Sequence, residues 1–156
     1  MTKINSTHVF LSGGRVYNSG GGIGGTESYI YSHALGFVQI ANMIRGRTDH
    51  ACGALNGRYV VVAGGGYSQL EYFSLETMTW SEGPTVDYGS SPWQHEIVTQ
   101  GNRMYLIMKE TIFSLENADN DDVNEWEWVK SADLEFEAFR SDVIFMKTED
   151  CENWKV

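Results

Sequence analysis

The tetrapeptide Phe73-Ser74-Leu75-Glu76 recurs unchanged as Phe113-Ser114-Leu115-Glu116, and Tyr31-Ser32 holds the corresponding place earlier in the chain. An internal repeat of this kind constrains the fold more than any single motif, because each unit must bury its apolar face against the next. An apolar run precedes each copy: Val9-Phe10-Leu11, Tyr59-Val60-Val61-Val62 and Met104-Tyr105-Leu106-Ile107-Met108. A bulky aromatic follows each: Phe37, Trp80, and Trp126 or Trp128. The period is roughly 40 to 50 residues, the range of propeller blades.

Each unit reads as four short strands, designated a to d. The central copy is the clearest, with strand a over His50 to Leu55, b over Tyr59 to Ala63, c over Leu70 to Leu75 and d over Thr79 to Glu82. Asn56-Gly57 between a and b is a strong hairpin signal, since both residues tolerate positive φ. Helical periodicity is scarce, and Ala132 to Phe139 makes no convincing apolar stripe. With 17 glycines, two prolines and 13% aromatic residues, the composition fits strands joined by Gly-rich turns.

Arg47-x-x-His50, Leu55-Asn56-Gly57, Gly64-Gly65, Glu71, Phe73 and Trp80 together resemble one kelch repeat, with Phe73 where that family usually has Tyr. The likeness is most specific over residues 43–84, less so over 5–42 and weakest over 93–130. The third unit reads Lys109-Glu110 in place of the diglycine and lacks the arginine, and the first has Phe37 in place of tryptophan. The fold expected is therefore all-β, a partial kelch-type β-propeller of about three blades of four-stranded antiparallel sheet. Strands b, c and d occupy 5–41, with the chain opening at strand b. Further blades occupy 47–84 and 93–130, a strand a over 140–147 closes a blade, and 148–156 is a tail.

Propeller rings usually have four to eight blades, so an open arc of three leaves apolar faces uncovered. The expected explanations are that the chain is the C-terminal part of a longer propeller, that two copies form a three-plus-three ring, or that three blades close compactly.

Gly20, Gly22 and Gly25 spell G-x-G-x-x-G, but a phosphate cradle needs a helix after the last glycine. Thr26-Glu27-Ser28-Tyr29-Ile30-Tyr31 alternates as a strand instead, so Arg15 to Thr26 reads as a long mobile b–c loop. His95-Glu96-Ile97-Val98-Thr99 offers no second zinc histidine. Asp119 to Glu125 breaks the EF-hand register at Asn124 and Lys130 and reads as a solvated c–d loop. His50 and His95 are expected to hydrogen-bond within their blades, and Cys52 to be a small core residue. No catalytic, cofactor-binding or metal-binding residue is identified, and no cofactor is expected.

A net charge of −10 argues against nucleic-acid binding and against attraction to anionic lipid. No apolar stretch approaches the roughly 20 residues of a membrane span, and MTKINSTHVF lacks a signal-peptide core. Asn5-Ser6-Thr7 is a glycosylation sequon that matters only in a secreted protein, so the compartment stays open. The kelch resemblance implies a non-catalytic module that binds another protein through its b–c and d–a loops. That rim would carry Arg15, Tyr17, Arg45, Tyr67, Gln69, Tyr88 and Trp93. The alternatives are a propeller enzyme of copper-radical oxidase or sugar epimerase type with an axial site, and a truncated product without independent function.

Overall fold

A computed structural model of the chain describes residues 1–18, 21–87, 95–108, 111–120 and 122–133. These residues are all-β, with three four-stranded antiparallel sheets and one two-stranded sheet. The first sheet joins β1 (Thr2–Lys3), β2 (His8–Ser12), β5 (Ser28–Ser32) and β6 (Gly36–Gln39) in that order. Between β2 and β5 lies a hairpin of β3 (Arg15–Asn18) and β4 (Gly21–Gly24). The second sheet contains β7 (His50–Leu55), β8 (Tyr59–Gly64), β9 (Gln69–Ser74) and β10 (Thr79–Thr85). The third contains β11 (His95–Gln100), β12 (Arg103–Met108), β13 (Thr111–Glu116) and β14 (Glu127–Asp133).

The middle sheet matches its sequence reading closely. Asn56 and Gly57 turn the chain at φ values of 53° and 64°, the left-handed pair that a tight hairpin requires. Its strand β8 is buried on both faces from Val60 to Gly64, which explains an unbroken apolar run where a one-sided strand would alternate.

Two clusters join the sheets. Phe10 of the first sheet packs with Val60 and Phe73 of the second, and Ile30, Cys52 and Trp80 close around them. On the other face of the second sheet, Leu55, Val61, Ala63 and Leu70 meet Met104, Leu106, Leu115, Trp126 and Trp128. Strand β7 lies against both β1 and β11, so the first strands of the three sheets converge. Gly53 of β7 allows that approach: a Cβ there would stand 2.3 Å from Ile97 Cγ2.

The repeat extends to strand register. Val60 pairs with Phe73 and Phe73 with Trp80, as Val9 pairs with Tyr31 and Tyr31 with Phe37. In the third sheet Leu106 pairs with Phe113, which lies opposite Lys130. The tryptophan of that unit has moved two positions along the strand, to Trp128 opposite Leu115. Both Trp126 and Trp128 are buried, so the alternatives left open by the sequence are both used.

Two expectations are corrected. The chain does not open at strand b: Thr2 and Lys3 pair with Phe10 and Val9 and add a short first strand to the first sheet. Two residues of pairing leave too little periodicity for sequence to reveal. Nor is Arg15 to Thr26 an irregular loop, because Arg15 to Asn18 pair with Gly24 to Gly21. Glycine-rich β4 concealed the strand pattern, having only Ile23 to mark a face. The expected strand over 140–147 and the tail over 148–156 lie outside the described residues, as do Lys109 and Glu110.

Candidate functional site

The chain between the first and second sheets descends past one end of β8 and β9, where Arg47 is fully buried beside an equally buried Glu71. Arg47 donates from Nε and Nη2 to Glu71 Oε1, at 3.0 and 2.8 Å. Its Nη1 donates to the Gly64 carbonyl, and Nη2 also reaches the Gln69 carbonyl at 2.6 Å. The second carboxylate oxygen of Glu71 accepts the Ile44 amide at 2.7 Å. Each buried charge thus has an opposite charge and further hydrogen bonds, the condition under which such a pair is tolerated in a core.

This pair fixes the d–a connection to the ends of strands b and c and builds a platform above them. The Tyr67 ring stacks against two guanidinium groups, with Arg47 Cζ 5.1 Å and Arg45 Cζ 5.7 Å from its centroid. Arg45 is held in turn by Glu82 at 2.6 Å, while its Nη1 is buried without a hydrogen-bond partner. Tyr67 remains 39% exposed at the top of the stack.

The β3–β4 hairpin docks beside this platform. Arg47 N donates to the Gly25 carbonyl and Gly14 N to the Arg47 carbonyl. Gly24 and Gly46 touch through bare backbone: a Cβ on Gly24 would stand 2.5 Å from the Gly46 oxygen, and one on Gly46 would stand 2.3 Å from the Gly24 oxygen. The glycine run therefore lets two backbones meet, a use of glycine unrelated to phosphate binding. From the hairpin Tyr17 projects 77% exposed, and Arg15 lies over Gly22 with Asp49 at 3.8 Å.

Of the residues read from sequence as a rim, Arg45, Tyr67 and Gln69 come together on one end of the second sheet. Gln69 is bound into the scaffold, its Nε2 donating to the Gly83 carbonyl at 2.6 Å. Arg15 and Tyr17 stand on the adjoining hairpin. Tyr88 and Trp93 lie outside the described residues. Sequence reading took Arg47 and Glu71 as repeat markers and missed that they support the platform. Charged residues at buried register positions within a repeat were the available signal.

His50 departs from expectation. Its Nε2 lies 3.1 Å from Ser12 Oγ, so it links the second sheet to the first and does not bond within its own. The end of β2 turns toward His50 at Gly13, where a Cβ would meet His50 Cε1 at 2.8 Å. Nδ1 is buried and has no hydrogen-bond partner, so no carboxylate orients the ring. Burial above all, with the positive charges of the N-terminal amine and then of Arg47 adding to it, lowers the His50 pKa from 6.5 to about 4. The unfolded chain therefore binds more protons between these values, and stability falls as pH drops from 6.5 toward 4. A loss of up to about 3 kcal/mol is expected over that window. Urea melts of wild type and His50→Gln across this range read it, the variant showing the flatter profile.

Cys52 is half-buried beside this junction and free, and burial raises its thiol pKa. The acidic c–d loop lies at the opposite ends of the strands, where Asn56 Nδ2 donates to the Ala118 carbonyl at 3.0 Å. There Asp122 caps a 3-10 turn over Val123–Glu125. Among the described residues no group of three or more His, Cys, Asp or Glu side chains is arranged to hold a metal ion. No helix among them is long and apolar enough to cross a membrane. No family model matches the chain, and a search of curated proteins finds no match either.

Proposed function

We propose that the chain is a run of kelch-type propeller blades acting as a non-catalytic module that binds another protein through its b–c and d–a loops. The observation that carries this reading is the Arg45–Tyr67–Arg47 stack, an exposed aromatic set over a buried ion pair, with Tyr17 exposed on the hairpin that docks on Arg47. Tyrosine and arginine on a pre-organised base are the residue types and setting of interface anchors, since little side-chain freedom remains to be lost on binding. The matching b–c registers of the three sheets, and the matching c–d registers of the first two, support the blade assignment. The kelch likeness of residues 43–84 supports the choice of rim.

The test is affinity capture from the source organism, followed by calorimetry with the purified partner. Tyr67→Ala and Tyr17→Ala are each expected to weaken that complex roughly tenfold. Asp122→Asn, on the opposite rim, is expected to leave it unchanged. Equal loss from all three variants, or loss from Asp122→Asn alone, would overturn the assignment of the rim.

A further inference from the structure

We propose that Asn5 is a site of N-linked glycosylation, and that the protein therefore passes through the secretory route. Asn5-Ser6-Thr7 is the one N-x-S/T triplet in the sequence, and Ser6 keeps proline out of its middle position. The triplet occupies the turn between β1 and β2, and all three residues are exposed, as a bulky sugar requires. The Ile4 amide donates to the His8 carbonyl at 3.0 Å and closes the turn.

The Asn5 side chain is held through its oxygen. Oδ1 accepts the Thr7 and His8 amides, both at 2.9 Å, and the Thr7 hydroxyl lies 3.0 Å away. Nδ2 has no hydrogen-bond partner among the described residues. Nδ2 is also the atom that receives the sugar. It forms a bond to the anomeric carbon of a lipid-linked oligosaccharide while the bond from that carbon to the diphosphate oxygen breaks. The lipid diphosphate leaves with the electron pair, and the amide passes one proton to a base of the transferase. The product keeps Oδ1 as an acceptor, so the bonds that hold the turn survive modification. Asn56, Asn117 and Asn124 give the contrast, since each commits Nδ2 to a hydrogen bond within the fold.

The placement leaves the loop rim clear. Strand β2 runs from His8, beside this turn, to Ser12, where the chain enters the β3–β4 hairpin. Its five residues, at about 3.3 Å each, set Asn5 at the end of the sheet away from Tyr17. Cys52 suits an oxidising compartment, because burial keeps its thiol protonated and a protonated thiol exchanges poorly with disulfides.

Peptide mapping of the protein purified from its source organism tests the proposal. The peptide carrying Asn5 is expected to bear a glycan, and peptide-N-glycosidase is expected to remove it and leave aspartate at that position. Expression behind a secretory leader in cultured animal cells assigns the site. There the wild type is expected to shift on deglycosylation, Asn5→Gln and Thr7→Ala to lose the shift entirely, and Thr7→Ser to retain it. Thr7→Ala leaves Asn5 and both of its amide bonds in place, so loss of the shift in that variant does not report a damaged turn. Unmodified Asn5 in the source protein overturns the proposal, and so does a shift that survives Thr7→Ala. The site stands apart from the loop rim, so its failure leaves the Tyr17 and Tyr67 measurements to stand or fall alone.

Discussion

Replacing Glu71 by alanine is expected to cost about 3–5 kcal/mol of folding stability, because it strands a fully buried guanidinium. The effect exceeds that of an ordinary ion pair for a geometric reason. Glu71 receives two bonds from Arg47 on one oxygen and the Ile44 amide on the other, so its loss also removes the acceptor of a part-buried backbone amide. Surface pairs give the contrast. Arg15–Asp49, at 3.8 Å with both side chains more than half exposed, contributes at most about 1 kcal/mol, and Asp49→Asn, which suits the φ of 53° at this position, should scarcely move the midpoint. A urea midpoint for each variant checks both statements. An E71A protein as stable as D49N would show that the Arg47 network is not formed. The same substitution should loosen the Tyr67 platform, since Arg47 then has no fixed place beneath the ring.

Phe10→Ala is the second large effect, also expected at about 3–5 kcal/mol. Phe10 is fully buried, and its ring stands 5.8 Å from both Phe73 and Trp80 of the next sheet. Truncation leaves a cavity between two sheets whose partners come from different strands and cannot easily collapse inward. The cost should therefore lie toward the upper part of that range. Thermal or urea unfolding measures it.

Much of this architecture was legible in the chain. Two identical tetrapeptides, each following an apolar run and preceding a bulky aromatic, located strands b, c and d of the second and third sheets. Asn56-Gly57 placed a turn to the residue, because its backbone conformation is one that few other dipeptides adopt. The missed features share a cause, which is that their signal lies between segments distant in sequence. The two-residue strand β1 exists only because β2 accepts it. Hairpin β3–β4 was concealed by glycines whose purpose, the backbone contact of Gly24 with Gly46, depends on a segment some 20 residues away. His50 finds its partner on Ser12 of the preceding sheet, and nothing near either residue announces that bond. The rim residues fared similarly: the exposure of Tyr17 and Tyr67 followed from loop position, whereas the buried Arg47–Glu71 pair beneath them required the assembled sheets.

The second and third sheets each dock on the sheet before them through bulky aromatics, Trp80 of β10 in the one and Trp126 and Trp128 in the other. The most direct measurement is a double-mutant cycle on Phe10 and Trp80, using Phe10→Ala, Trp80→Ala and the double variant in urea unfolding. Packed rings in separate sheets predict a coupling energy of about 0.5–1.5 kcal/mol. Additivity within about 0.3 kcal/mol would contradict the account, because it would mean that the two rings do not meet across the junction.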